Sequence, residues 1–402
     1  MDILIAGAGI GGLSAALFLN AAGHRVRLFE AVSALKELGV GINMQPHAVR
    51  ELARLGLQPR LEAAGNPCVE WAMANMFGQD IWHEPRGLKA GHDWPQISIH
   101  RGRLQGILAG AVAERLGADA IATGHRFVSY RERGDTVVAR FATRAGEVEA
   151  TGDILIGADG IHSTLRRILH PGEGDPVYNG AILWRGLTRW PSYLSGGTQV
   201  FAGHPDQKFI VYPITPPDAE GMQVTNWIAQ VSAPMMLNRE DWNREGRRED
   251  FLPLYETWNF DWLDVPGMIR AAETVYEFPM VDRDPLPRWG LGRVTLLGDA
   301  AHPMVPIGAN GGSQAIRDAA AIADALASHR DPVAALAAYE AERRPATAEI
   351  VLSNRQLGPE EVLKMAHDRA PGGFRDVEDV ISRAELEDVS RRYRTVTWAK
   401  AI

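Results

Sequence analysis

Short apolar runs and longer amphipathic stretches alternate along this chain. Residues 3–6 (ILIA) are wholly apolar, the pattern of a strand buried on both faces. Residues 13–22 follow as a small, apolar helix stopped by Gly23, and 26–29 as a second strand running into Glu30. Residues 34–43 (ALKELGVGIN) read as a loop around Gly39 and Gly41, and 46–55 as a helix with Pro46 in its first turn. Strands are expected over 69–82 and 96–100. Over 101–116, Leu104, Ile107, Leu108, Ala111, Val112 and Leu116 fall at helical spacing. Residues 126–130, 136–141 and 147–150 predict a β-meander, and 154–156 another short buried strand.

From 177 to 280 the pattern changes. Strands at 181–187, 209–214 and 224–231 alternate with Pro-rich and charged loops, and most of the eleven tryptophans lie between Trp71 and Trp289. A second, mixed-sheet domain inserted into the first is the expected arrangement. Residues 293–297 return to a buried strand, 298–312 form a Gly/Pro loop, and 313–326 an Ala-rich helix. A further helix is expected over 332–354, kinked at Pro345. From 356 onward the chain is charged and helix-prone.

The first strand, helix and strand carry Gly7, Gly9 and Gly12 in the spacing G-x-G-x-x-G. That spacing gives a tight turn, room for a pyrophosphate against the backbone, and close helix–strand packing. The helix N-terminus offers free N–H groups and the positive end of a dipole to phosphates. Glu30 is placed to accept hydrogen bonds from ribose hydroxyls. Alone, the motif does not separate NAD from FAD. A second segment, Gly157-Ala158-Asp159-Gly160, follows a buried strand; Asp159 and Gly160 either face another phosphate-bearing segment or form an ordinary strand-ending turn. A third, Leu297-Gly298-Asp299, continues through Pro306, Gly308, Gly311 and Gly312. Asp299 suits a sugar-alcohol chain, and the glycine loop lets backbone lie against a flat ring at a helix N-terminus. A nicotinamide dinucleotide has no use for this distant segment. A longer ligand does: adenosine at Glu30, pyrophosphate at Gly7–Gly12, ribityl chain at Asp299, flavin at Pro306–Gly312. That ligand is FAD, and no flavin-linkage motif is present, so binding is expected to be non-covalent.

Composition narrows the classes further. The 402 residues are 46% hydrophobic and 23% charged, with a formal net charge of -8, so neither nucleic acid nor an anionic membrane surface is an expected partner. Cys68 is the only cysteine, which excludes intrachain disulfides, Cys-pair redox chemistry and Cys-based metal sites. No His/Asp/Glu grouping has metal spacing, so no metal is expected. No apolar run reaches bilayer length and no export signal is visible, so a cytoplasmic location is expected.

GAGIGG, GADGIHS and GDAAHPMVPIGANGG, in this order and spacing, resemble the single-component FAD-dependent aromatic hydroxylases. The resemblance spans nearly the whole chain. LGVGINMQPHAV, SIHRGRLQGIL, LWRG, YPMVDRDPLPRWG and PIGANGGSQAI further resemble the phenazine-modifying branch. The resemblance implies an α/β fold: a Rossmann-like FAD-binding domain of the 4-hydroxybenzoate hydroxylase/glutathione reductase type, an inserted mixed β-sheet substrate domain, and C-terminal helices. The expected boundaries are 1–70, 98–175 and 285–355 for the FAD-binding domain, 71–97 and 176–284 for the substrate domain, and 356–402 for the C-terminal segment. It implies FAD contacts at Glu30, Arg101, Asp159 and Asp299; Gly41 and Gly160 join the cofactor-binding candidates. It also implies NAD(P)H as a transient co-substrate, O₂, and hydroxylation of a small aromatic or N-heteroaromatic acid, with or without decarboxylation, through a flavin 4a-hydroperoxide. A monomer or homodimer is expected. With a single G-x-G-x-x-G there is no separate nicotinamide-binding Rossmann domain.

Candidates for contact with the reacting atoms are Tyr212, Pro306 and Gly308. Substrate-binding candidates are Trp184, Arg185, Tyr212, Met304 and Val305. Tyr212 either faces substrate or is a buried aromatic with a satisfied hydroxyl. Arg185 either binds a carboxylate bidentately or pairs with an acid of the chain. Phe209 is expected beside them in a flat apolar pocket. Adjacent Asp282 and Arg283 read as a mutual ion pair, His302 as a structural histidine in preference to a base, and His47 as a surface residue at a helix start. The other readings are a flavoprotein oxidase or reductase that inserts no oxygen and, behind it, a non-enzymatic Rossmann binding module.

Overall fold

The computed structural model describes residues 1–37, 39–234 and 244–397, with side chains to 392. Residues 235–243 of the expected inserted domain and 398–402 of the expected C-terminal segment lie outside the described residues.

Two sheets organise the molecule. The first is parallel, in the order Val294–Leu296, Ile154–Gly157, Asp2–Ala6, Arg25–Phe29, Ile121–Ala122. Its strands are short and apolar because both faces are covered, one by helices and the other by the β-meander, whose Phe141 stacks on Phe29 at 4.0 Å; Ile3, Leu4, Ile5, Leu155 and Ile156 are all buried. The helices Ile10–Ala21 and Gly311–Ser328 pack closely together. A Cβ at Gly11 would stand 3.3 Å from Ala315 Cβ. All three glycine motifs leave this sheet at the carboxyl ends of its strands, where open α/β sheets bind ligands. The meander forms a separate antiparallel three-stranded sheet over Arg126–Arg133, Thr136–Thr143 and Gly146–Gly152.

The second sheet is mixed and has seven strands, in the order Val275–Asp282, Val177–Pro191, Met222–Ser232, Gln207–Pro213, Thr198–His204, Glu70–Ala74, Asp80–Pro85. Alternation along each strand separates two cores. Trp184, Phe209, Val211 and Trp227 belong to the outer core, under Phe251, Tyr255, Met268 and Ile269. Leu183, Ile210, Tyr212 and Ile228 belong to the inner core, facing Val305, Ile307 and the helices Glu361–Arg369 and Arg383–Thr397.

The local differences from expectation have tertiary causes. Gly41–Met44 is a strand, not the end of a loop, because Gln96–His100 pairs with it. The expected strand at 69–82 is a hairpin. The Asn75 side chain accepts hydrogen bonds from the Phe77 and Gln79 amides, and Gly78 takes φ +78°. The Pro332–Asn354 helix runs on with Pro345 inside it.

Candidate active site

Three adjoining cavities run from Glu30 to the inner face of the mixed sheet. The first, about 640 Å³, is walled by Gly7, Gly9, Glu30, Arg101, Asp159 and Gly160 among others. The second, about 150 Å³, lies between the two helix N-termini, at Gly9, Gly11, Asp299 and Gly312. The third, about 250 Å³, lies between Met304–Gly312 and the sheet. Arg101 borders all three.

Backbone shapes the first two. Gly7, at φ +108°, lies against the Ala158 carbonyl, where a Cβ would come within 2.3 Å of its oxygen. A Cβ on Gly12 would stand 2.0 Å from the Gly7 oxygen. A Cβ on Gly9 would meet nothing within 4 Å, so at this residue the turn opens to the cavity. The Ile10–Ala21 and Gly311–Ser328 helices both begin without a side-chain cap. Their first amides and positive dipole ends are left for an anionic or electron-rich ligand. Asp299 is exposed and without a protein partner among the described residues. Arg101 is exposed too, a fixed cation along the trough. An extended ligand carrying a ribose, a pyrophosphate, a polyol and a flat ring fits this sequence of groups. FAD is such a ligand.

The side chains at the Glu30 end do more than line it. Glu30 accepts from the Ala8 amide (2.8 Å) and the Val32 amide (2.9 Å), fixing the glycine turn while each oxygen keeps a lone pair. Asp159 turns its carboxylate inward, to Ser163 Oγ (2.5 Å) and the Thr164 amide (2.7 Å). Burial pushes its pKa up against those bonds. Asp159 therefore offers the cavity chiefly its backbone. Two positioning groups escaped the sequence reading. Gln105, one turn beyond Arg101, donates to the Ala8 carbonyl at 2.8 Å; its i+4 spacing from Arg101 was a visible signal. Arg166 is buried and donates to the carbonyls of Ala300 (3.0 Å) and Ala301 (2.8 Å), tying the second motif to the third.

At the end against the mixed sheet, Met304, Pro306, Ile307, Ala309 and Gly311 form one wall of the third cavity. Gly308 sits behind that wall at φ +69°, its carbonyl held by Gln45 Nε2 at 3.3 Å. Val305 does not line the cavity; it is 1% exposed in the inner core. On the sheet side stand Leu183, Arg185, Phe201, Ile210, Tyr212 and Ile228. Trp184 is corrected by the same geometry: next to Arg185 on one strand, it must face the other way, and it stacks on Phe251 at 4.8 Å. Phe209 is likewise in the outer core.

Arg185 is half-buried and pairs with no carboxylate among the described residues. Its Nη2 donates to the Gly41 carbonyl at 3.2 Å, and its Nε is buried without a partner. Burial lowers its pKa; a hydrogen bond with the Tyr212 hydroxyl opposes that shift, and the Arg101 cation adds to it. Burial pushes the Tyr212 hydroxyl up to about 12 although Arg185 draws it down. Tyr212 is thus a hydrogen-bond donor at neutral pH. Asn226, which no local motif betrays, accepts from the Gly41 amide at 2.7 Å. Arg185 and Asn226 together clamp Gly41 from the facing sheet.

Three further expectations change or sharpen. Asp282 pairs bidentately with Arg355 (2.8 Å), while Arg283 donates to the Ile161 and Gly174 carbonyls and approaches Glu173 at 3.4 Å, so the two do not pair with each other. His47 is buried, with neither ring nitrogen hydrogen-bonded, and burial pushes it well below its ordinary pKa. His302 is buried against Asp318 at 2.5 Å, and Arg343 bonds the same carboxylate at 2.8 Å. Burial raises Asp318, but His302 and Arg343 outweigh it and hold the acid at about 2.

Comparison with known proteins places the chain in a family. The family described as FAD binding domain matches residues 1–353. The chain is 42% identical to the phenazine 1,6-dicarboxylic acid hydroxylase PhzS of Lysobacter antibioticus, over 98% of this chain and 97% of that protein. It is 31% identical to the 6-hydroxynicotinate 3-monooxygenase of Bordetella bronchiseptica, over 85% of this chain and 87% of that protein. Among solved structures, Klebsiella pneumoniae HpxO complexed with FAD and uric acid matches at TM-score 0.78 and 26% identity, over 100% of this chain and 96% of that one. No helix among the described residues is long and apolar enough to cross a membrane.

Proposed function

We propose what this chain acts on from one premise: it belongs to the FAD binding domain family and is an FAD-dependent monooxygenase of aromatic rings. Its substrate, in our reading, is a planar aromatic or N-heteroaromatic acid of the phenazine-carboxylate kind, hydroxylated on the ring at the expense of NAD(P)H and O₂ in the cytoplasm. One observation carries this reading: among the described residues Arg185 pairs with no acid, and its guanidinium stands at the end of the apolar row Ile228, Ile210 and Phe201 in the cavity beside Met304–Gly312. A half-buried cation without a counter-ion gives up part of its hydration with nothing to replace it. A ligand carboxylate supplies the missing charge, and a guanidinium fork matches its geometry.

Bound FAD would take two electrons from NAD(P)H and pass them to O₂, so that one oxygen atom enters the ring and the other leaves as water. The chain supplies the rest. Gly7, Gly9, Glu30, Gly160, Arg101 and Asp299 hold the nucleotide and polyol, with Gly12 letting the helix pack against the Gly7 turn, Asp159 acting through its turn and Gly41 as the clamped edge of the ring site. The Gly311–Ser328 helix directs its positive end at the ring system, where negative charge is favoured. Arg185 fixes the substrate carboxylate and Tyr212 donates a hydrogen bond, so that the acid ring lies against Met304 and Pro306. The apolar wall of Leu183, Phe201, Ile210 and Ile228 excludes water from the reacting face. Residues 1–70, 98–175 and 285–355 act as the cofactor unit, and 71–97 and 176–284 as the substrate unit.

The test compares acids with their decarboxylated analogues. Arg185→Ala is expected to raise KM for phenazine-1-carboxylate at least tenfold, the loss of a charge-assisted bond of about 1.5–3 kcal/mol. KM for phenazine itself should stay unchanged. Incorporation of ¹⁸O from ¹⁸O₂ into the ring product identifies the oxygen source. Hydrogen peroxide as the sole oxygen product from every ring acid tried would reject this substrate class.

A further inference from the structure

The inner face of the mixed sheet is a grid of side chains. Arg185, Ile228, Ile210 and Phe201 are successive cross-strand partners and form a middle row. On one side Asn226 partners Tyr212. On the other, Leu183, Gln230 and Lys208 are successive partners. Beyond Arg185 the middle row is apolar, and both flanking rows carry polar groups. Arg185 and Lys208 stand two strands and two residues apart, roughly 12 Å between Cα atoms. The strip between them is longer than a single benzene ring needs.

The end at Lys208 is built, not incidental. Lys208 and Glu360 are 1% and 2% exposed and form an ion pair. Glu360 and Gln230 line the cavity; Lys208 stands behind them. The second carboxylate oxygen of Glu360 and the side-chain amide of Gln230 make no hydrogen bond to the described residues, although Gln230 is nine-tenths buried. A buried ion pair packs no better than two apolar side chains and loses hydration, so packing alone does not account for it. Its carboxylate, neutralised by Lys208, presents an acceptor to whatever fills the cavity.

We infer that Gln230 and Glu360 form a second polar end of the ring cavity, which takes a hydrogen-bond donor carried by a fused-ring acid at the edge away from its carboxylate. The donor is a ring hydroxyl or N–H. This rests on the reading that Arg185 holds the carboxylate. Short acids reach only the Arg185 end, whereas fused rings span both.

Binding to the FAD-loaded enzyme, followed by the flavin absorbance change, tests this with four probes: benzoate, 4-hydroxybenzoate, 2-naphthoate and 6-hydroxy-2-naphthoate. In the wild type the distal hydroxyl should tighten naphthoate binding about five- to tenfold. That gain should vanish in Gln230→Leu and in the double variant Lys208→Met/Glu360→Leu, which removes both buried charges together. The ratio for the benzoate pair should stay the same in all three proteins. A wild type that gains nothing from the distal hydroxyl overturns the inference. So does a gain that persists in both variants, including variants whose only change is a shifted melting temperature. Arg185→Ala separates the two readings. If it weakens all four acids, the carboxylate assignment stands whatever the hydroxyl comparison gives. If it weakens none, that assignment falls and takes this inference with it.

Discussion

The nucleotide trough and the ring cavity adjoin, yet they are made of different material. The trough is mostly backbone: a glycine turn, two uncapped helix starts and strand ends from one parallel sheet. The ring cavity is mostly side chain. Its sheet wall collects alternate residues from four strands between 183 and 230, and its other wall comes from 304–312. Backbone sites are specified locally, because a glycine's freedom is a property of one position. Side-chain sites are specified by which way each strand faces, and that is decided by pairing across the whole chain.

The largest expected effect probes the trough. Gly12→Ala sets a Cβ 2.0 Å from the Gly7 carbonyl oxygen, a backbone clash that no rotamer relieves. It should cost more than about 3 kcal/mol of stability and abolish FAD retention. Gly9→Ala is the control, since its Cβ meets no protein atom within 4 Å. The apoprotein should melt as the wild type does while FAD binds more weakly. Calorimetry of both apoproteins with flavin content after gel filtration decides; equal melting points would break the distinction between a packing glycine and a ligand glycine.

The next effect probes the two faces of one strand. Trp184→Ala should destabilise by about 3–5 kcal/mol, because the indole is buried against Phe251 in the outer core. Enzyme that remains folded should keep its KM for the ring substrate. A raised KM without loss of stability would return Trp184 to the cavity.

That pair of faces also marks where reading the sequence stops. The strands at 181–187, 209–214 and 224–231 were legible from their apolar runs, and Arg185 and Tyr212 from their chemistry. But Trp184 and Arg185 are neighbours, and a strand sends neighbours to opposite sides. Both were read into one pocket because aromatic character was weighed and alternation was not. Val305 and Phe209 went astray for the same reason: apolar residues near a site serve a core as readily as a pocket. Asn226 and the Lys208–Glu360 pair had no local signal at all, being made by contacts across 185 and 152 residues. By contrast the turns that carry Gly7 and Asp299 follow directly on parallel strands, and Gly12 lies in the first turn of the helix after Gly7, as local spacing alone predicts. His47 shows the limit in the other direction: a helix start is often exposed, but here the helix Gly311–Ser328 packs over it.

Asp299→Ala sharpens the contrast within the trough. The carboxylate is exposed and unpartnered, so its loss should leave the melting point of the apoprotein unchanged. If it bonds a ribityl chain as proposed, its loss should cost about 1.5–3 kcal/mol, a tenfold or greater rise in the FAD dissociation constant. Fluorescence titration of apoprotein with FAD measures it, and an unchanged constant would remove Asp299 from the site.

The smallest effect separates Tyr212 from Trp184 most directly. Tyr212→Phe keeps the ring and its packing in the inner core, so stability should move by less than about 1 kcal/mol. What is lost is one hydrogen bond to the ligand, and the substrate dissociation constant should rise about three- to tenfold. The pH dependence distinguishes a donor from a base. Burial raises the Tyr212 hydroxyl to about 12, with Arg185 only partly opposing it, so the proton stays on through neutral pH. Wild type and Tyr212→Phe should therefore show the same kcat/KM profile between pH 6 and about 10, offset by a constant factor. A wild-type limb in that window that disappears in Tyr212→Phe would mean the hydroxyl ionises during turnover. The residue would then be an acid–base group, and the cavity would be more polar in its working state than its packing indicates.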